Sequence, residues 1–418
     1  MNKSIKFIFI FLSILFFIFI GYEYPIIIDN TKKYVKYSLK KIGVINTFVS
    51  KHNDLKKVEK EKRDGLDNQI NNIEGNSYNL EYEKIINFDG RTANFFIEKK
   101  DNPELFFDIF LQNGINLKDK DAFEINLPLD IFLEKNGGVK SILNINGKKY
   151  ALISNKNNIN CYYASIVNLE SGKKIFSTKC LPDFDKTDFN GLGGAYIEDE
   201  KNIFLSIGSP EWNSKKIRNL AQDTESIYGK IIRLDKKSFV KDEIKSTDYD
   251  IFSIGHKNPQ GMVLVQDKIF SVEHGPQGGD EINLIIENNN YGWPIVSYGT
   301  RYNNGKGFKK NIKKFNNPIF TFLPSVAPSS INKCPKNLQN YYTNNYCLLM
   351  LTLRGMSIYV ILIDKEKLNL ISLEQFKIGQ RLRHFGLNKS NEIFQMNDFF
   401  YISVDGEGIY KMIFKDLR

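Results

Sequence analysis

The sequence predicts an all-β fold, a six-bladed β-propeller, set behind an N-terminal transmembrane or signal-anchor helix and a helical stalk. Three observations predict it. Beyond about Glu83, short hydrophobic runs alternate with polar turns, and no helical period persists for more than three turns. The segments Gly193–Ser209, Gly261–Gly275 and His384–Asp398 share one layout: a small or polar start, a hydrophobic strand, a polar turn, a second hydrophobic strand and a polar loop. Their starts lie 68 and then 123 residues apart, which leaves room for one more unit, and Tyr346–Asp364 is the candidate for it. A repeat of about 60 residues made of four strands is one propeller blade, and about 335 residues hold six. A pair of β-sandwiches accommodates the strands but not the recurrence. The expected organisation is therefore 1–24 signal anchor, 25–82 basic helical stalk and 83–418 propeller.

The anchor is the apolar run Phe7–Ile20, preceded by Lys3 and Lys6. Fourteen residues is short of the roughly 20 that span a bilayer and suits a signal-peptide core. No small-x-small cleavage site follows, however, and Tyr22 and Tyr24 read as an interfacial belt, which favours an uncleaved anchor over a cleaved signal. The chain is 42% hydrophobic and 25% charged, so disordered and polytopic membrane classes are excluded. Its net charge of +10 would suggest nucleic acid if spread over a folded face. It is not spread. Residues 32–63 carry eleven Lys/Arg against Asp54, Glu59 and Glu61, which places the excess next to the anchor, where it faces acidic lipid or solvent.

From Val35 to Ile73, apolar residues fall three and four apart, the spacing of a helical stalk, although a solvated linker fits equally. Four cysteines follow. Cys334 and Cys347 bracket a polar loop, and Cys161 and Cys180 lie on neighbouring strands of a hairpin. They form either two disulfides, implying an oxidising compartment, or ordinary thiols; none has a metal-type C-x-x-C spacing.

Four chemistry-bearing segments, Phe252–Gly261 (FSIGHKNPQG), Glu273–Asn283 (EHGPQGGDEIN), Tyr291–Pro294 (YGWP) and Ser297–Tyr302 (SYGTRY), follow one another in the order and spacing of the glucose/sorbosone dehydrogenase family. The resemblance extends at lower stringency from about Gly137 to the C-terminus, and the family's first-blade pattern is not recognisable before that. It implies a six-bladed propeller facing the periplasm, with pyrroloquinoline quinone (PQQ) and Ca²⁺ at the mouth of its central channel.

The resemblance assigns residues. PQQ is a planar tricarboxylate, which guanidinium groups match best. Arg381 and Arg383 match the family's Arg-x-Arg pair, Arg354 stands where Lys is usual, Lys257 stands where Arg is usual, and Asn258 matches outright. Gly275 and Pro276 match the turn whose carbonyls hold the cofactor's calcium. Glu281 and the Tyr291 backbone resemble a second, structural calcium site. Arg301 falls where members with that site place a carboxylate, which counts against it.

The departure is at the base. The family's His, which takes the sugar's anomeric hydroxyl proton, corresponds to Asn190. An amide orients a hydroxyl but cannot take its proton. Candidate substitutes are His384, directly after the arginine pair, and Asp188; His256 and His274 match structural positions, and His52 lies in the stalk.

The expected function is a membrane-anchored periplasmic dehydrogenase of aldoses or related polyols, dependent on PQQ and calcium, with a small-molecule sugar as partner and no nucleic acid. The alternative is a non-catalytic propeller binding a glycan or a protein, as in Hedgehog-interacting proteins. A lactonase-like hydrolase is a third reading, but the sequence lacks the Asn/Asp/Glu cluster it needs.

Overall fold

In the computed structural model, residues 70–100, 104–118, 121–157, 160–302, 304–310 and 312–415 are described. The anchor at 1–24 and the basic stalk as far as residue 69 lie outside them. Among the described residues, no helix is long and apolar enough to cross a membrane.

The chain is built from β-sheets. The strands β1 (Asn71–Glu74) and β2 (Asn79–Asn87) open it. Next come β3 (Thr92–Lys99), β4 (Leu105–Leu111), β5 (Ile115–Lys118) and β6 (Asp121–Glu124), consecutive antiparallel neighbours. The second such set is β7 (Val139–Ile145), β8 (Lys148–Lys156), β9 (Tyr162–Asn168) and β10 (Lys174–Ser177). The third is β11 (Gly193–Glu198), β12 (Asn202–Ile207), β13 (Lys230–Asp235) and β14 (Tyr249–Ile254), interrupted by the short helices α1 (Lys215–Asn219) and α2 (Lys236–Val240). The fourth is β15 (Pro259–Val265), β16 (Lys268–Glu273), β17 (Asp280–Ile285) and β18 (Phe320–Phe322). The fifth is β19 (Pro328–Lys333), β20 (Asn345–Thr352), β21 (Ser357–Asp364) and β22 (Leu370–Lys377), with α3 (Lys336–Tyr341) after its first strand. The chain finishes with β23 (Leu382–Leu387), β24 (Phe400–Val404) and β25 (Gly408–Lys415).

The last three strands take β2 as their outer neighbour, from Asn79 opposite Lys415 to Asn87 opposite Gly408. A short parallel contact, Gly386 with Phe95 and Leu387 with Phe96, joins β23 to β3 and merges these strands into one nine-stranded sheet beside four four-stranded ones. The inner strands β3, β7, β11, β15, β19 and β23 touch in turn around a ring. This is an all-β, propeller-like fold, and its core lies between the faces of successive sheets: Leu80, Phe96, Ile142, Leu349, Phe376, Phe385, Phe400 and Met412 pack in one cluster. Each such side chain contributes about 1.5–3 kcal/mol by leaving water.

Two expectations need correction. Residues 71–74 and 79–82 are strands joined by a turn, not stalk: Tyr78 at the end of the turn and Leu80 in β2 are 2% and 0% exposed, Tyr78 against Phe414 and Leu80 opposite the same residue of β25, and this packing outweighs the three-and-four spacing that ended at Ile73. The repeat phasing also shifts. Tyr346–Asp364 holds the second and third strands of its sheet, and the unit begins at Pro328; in His384–Asp398 the stretch after β23 forms only isolated bridges, and the second strand is β24. Of the two cysteine readings, the structure shows both disulfides, Cys161–Cys180 and Cys334–Cys347.

Candidate active site

Antiparallel neighbours place the start of each inner strand beside the end of the second strand, so the segments entering β7, β11, β15 and β23 share one rim with those leaving β16, β20 and β24. Lys257 and Asn258 immediately precede β15, Arg381 precedes β23 and Arg383 is its second residue. Gly275 and Pro276 follow β16, and Arg354 follows β20.

Arg383 is nearly closed to solvent and its guanidinium grips Asp405 with two parallel bonds, through Nε and through Nη2 at 2.5 Å. Nη1 takes no part in these bonds. Arg381 Nε lies 3.5 Å from the same carboxylate and is half-exposed. Arg354 is exposed; its backbone N–H donates to Val326 O at 3.0 Å. Lys257 Nζ stands 5.7 Å over the ring of Trp293, which also packs on Phe308. Asn258 is buried, and its Oδ1 accepts from Gly193 N–H at 3.1 Å and Gln260 Nε2 at 2.7 Å, so this amide fixes the entry of β11.

The Gly275 turn is held from below. The Asp280 carboxylate accepts from the N–H groups of Gly275, Val326 and Ala327 and from Ser325 Oγ, which ties the turn to the loop that carries Arg354's partner. A Cβ on Gly275 would lie 2.1 Å from Gly279 O, so only glycine lets the backbone fold this tightly. Glu281 accepts from Asn283 Nδ2, and burial, reinforced by the nearby Glu273, pushes its carboxyl up to about 8. Tyr291 is fixed through its hydroxyl to Leu284 O and Ile286 N–H, with its ring stacked on His256. Among the described residues, no group of three or more His, Cys, Asp or Glu side chains is disposed to hold a metal ion.

Asn190 is exposed on the turn before β11, and its N–H donates to Asp188 Oδ1 at 2.9 Å. Asp188 also accepts from Asn136 Nδ2 at 3.0 Å. His384 instead faces the channel, where it lines a cavity of about 300 Å³ with Asn94, Ser141, Gln260 and Ser330. Burial, and then the Arg383 charge, hold its imidazole down to about 3, so it is neutral at working pH and weakly basic. His256 is fully buried against Ser253 and His274 bonds to Pro328 O; both are packing groups.

Three rim residues escaped the reading of the sequence. Asp405 is the partner of both arginines. Lys140, on β7, sits near Arg383, Arg91 and Asp188, and loss of hydration with repulsion from Arg383 brings its amine down to about 7. Glu211 pairs with Arg218 at 3.4 Å, and burial raises its carboxyl. A lysine inside the apolar stretch GGVKSILNI was the available signal for Lys140; Asp405 and Glu211 lie in polar loops and gave none.

Fold and rim together define a propeller with a cation-lined channel mouth. The chain belongs to the glucose/sorbosone dehydrogenase family, whose model matches residues 157–402. It is 28% identical over 228 residues to the aldose sugar dehydrogenase YliI of Escherichia coli K12, covering 50% of this chain and 57% of that one. It is 36% identical over 80 residues to quinoprotein glucose dehydrogenase B of Acinetobacter calcoaceticus, covering 18% and 17%. The matches thus span little more than half of the first relative and less of the second. By structure it resembles the apo soluble aldose sugar dehydrogenase of E. coli (TM-score 0.62, 20% identity, 80% of this chain and 99% of that one). It also resembles the PQQ-bound aldose sugar dehydrogenase of Streptomyces coelicolor (TM-score 0.54, 17% identity, 80% and 98%).

Proposed function

We propose that this chain is a six-bladed, PQQ-dependent dehydrogenase of aldose sugars or related polyols, anchored by residues 1–24 with its propeller in an oxidising compartment such as the periplasm. The blade count takes the nine-stranded sheet as two blades joined at β23 and β3. The two disulfides support the compartment.

The observation that carries the activity is the cationic rim. Lys257, Arg354, Arg381 and Arg383 offer one ammonium and three guanidinium groups to a planar tricarboxylate, and Asp405 fixes the plane of Arg383 in advance. Asn258 would orient the same ligand from its buried position, and the carbonyls of the Gly275–Pro276 turn suit a calcium ion. Bound there, PQQ would supply a two-electron acceptor for a hydride from the sugar. The protein's part is to hold the sugar and to take its hydroxyl proton.

Titration of the full-length protein with PQQ and Ca²⁺, followed by dye reduction with a panel of aldoses, tests this reading. Saturable PQQ binding with dye reduction is expected. No PQQ binding by a folded sample overturns it. The exposed amide of Asn190, where the family keeps its base, favours as second reading a non-catalytic propeller that binds a glycan or a protein.

A further inference from the structure

We propose that the general base of this chain is Lys140, which supplies from β7 the proton acceptor that Asn190 does not; the inference rests on the dehydrogenase reading above. The two segments are bonded together. Lys140 Nζ donates to Asn136 O at 3.0 Å, Asn136 Nδ2 donates to Asp188 Oδ1 at 3.0 Å, and the same oxygen accepts from Asn190 N–H at 2.9 Å. Phe189 N–H donates to Lys135 O at 3.0 Å, a second tie between the loop entering β7 and the turn entering β11. Lys140 also lies within electrostatic reach of Arg383, the arginine of the proposed cofactor rim. The amine is thus tied to the turn of the missing base and shares the field of an arginine proposed to hold the quinone.

Loss of hydration, and then the charged groups around it, set its protonation. Arg383 from β23 and Arg91 from the loop entering β3 repel an ammonium, Asp188 from the turn before β11 attracts one, and His384, next to Arg383 in sequence, is neutral. Loss of hydration, reinforced by two cations against one carboxylate, leaves the amine about half unprotonated near pH 7, where a base is most effective. In the reaction, the neutral amine takes the proton of the anomeric hydroxyl as its O–H bond breaks. The C1–H bonding pair leaves with its hydrogen to the quinone, the two-electron oxidant. The sugar departs as a lactone, and the ammonium returns its proton to solvent.

A competing role, clamping a cofactor carboxylate, separates cleanly. Lys140→Arg keeps the cation but cannot shed a proton at working pH. With the full-length protein, PQQ affinity is expected to stay within about threefold while kcat falls about 10²–10⁴-fold, and small primary amines should restore turnover to Lys140→Ala. Should Lys140→Arg not fold, Lys140→Met replaces it. In the cofactor-free protein, acylation of Lys140 followed peptide by peptide should reach half-extent near pH 7, well below the usual lysine value of about 10.4. Half-labelling of Lys140 at the ordinary lysine pH, or full turnover by Lys140→Arg, overturns the inference alone. Loss of PQQ affinity with turnover intact at saturation makes Lys140 a clamp and overturns it too. Absence of PQQ binding by the wild type sinks the dehydrogenase reading and this base with it.

Discussion

Arg383 and Asp405 meet edge to edge at the channel mouth, each with a side chain only 8% exposed. Removing one partner of a buried pair leaves the other charge uncompensated, at a cost of about 3–5 kcal/mol. Asp405→Asn should therefore lower the thermal midpoint by several degrees. It should also weaken PQQ binding at least about tenfold, because Arg383 loses its fixed plane. Calorimetry and a PQQ titration on the same sample check both effects.

His384 should prove dispensable for proton transfer. Its imidazole is held to about 3 by burial and by Arg383, and a base that weak contributes little at neutral pH. Turnover of His384→Ala is expected to stay within about threefold of wild type. A hundredfold loss, with PQQ affinity retained, would return His384 to the role of base.

The fully buried Lys230 gives a test of pH dependence. Its Nζ donates to Leu220 O and Tyr228 O, and burial brings its amine down to about 7. A lysine whose pKa falls on folding is neutral in the native state and charged in the unfolded one between about 7 and 10.5, so the unfolded chain binds more protons and stability rises with pH across that window. Denaturant midpoints taken from pH 7 to 9 should climb. Lys230→Met should flatten the climb, leaving the rise that Lys140 contributes less the opposing fall from Glu281, whose raised carboxyl loses its proton up to about pH 8.

The disulfide Cys334–Cys347 closes a loop of 13 residues around α3. Cross-linking a loop of that length stabilises by about 3 kcal/mol in the chain-entropy account. The Cys334→Ser/Cys347→Ser double variant should lose about that much in urea melts. Treating the intact protein with a reductant opens Cys161–Cys180 as well and should cost more than the double variant does.

Much of this was legible before any coordinates, for reasons that differ by residue. The strands β11, β12, β15 and β16 carry unbroken apolar runs between polar turns, and the rim cations sit in short motifs at fixed offsets from them. The first sheet was illegible because β5 and β6 are only four residues long and β6 is exposed throughout, leaving no alternation to read. The β1–β2 hairpin was hidden by three apolar residues that fit a helix as well as a strand. Asp405 and Lys140 act through partners distant in sequence, and no spacing rule connects position 140 with 188 or 383.

The pairing of β2 with β25 has a consequence for biosynthesis. Among the described strands, β2 is one of the first to leave the ribosome, and the neighbour that covers it, β25, is the last. Until residues 408–415 are free, Leu80 has no β25 to cover it and the ring stays open, with the edges of β2 and β24 exposed. That sheet is thus closed only once β25 has been made, which puts any holding factor at the early β1–β2 hairpin.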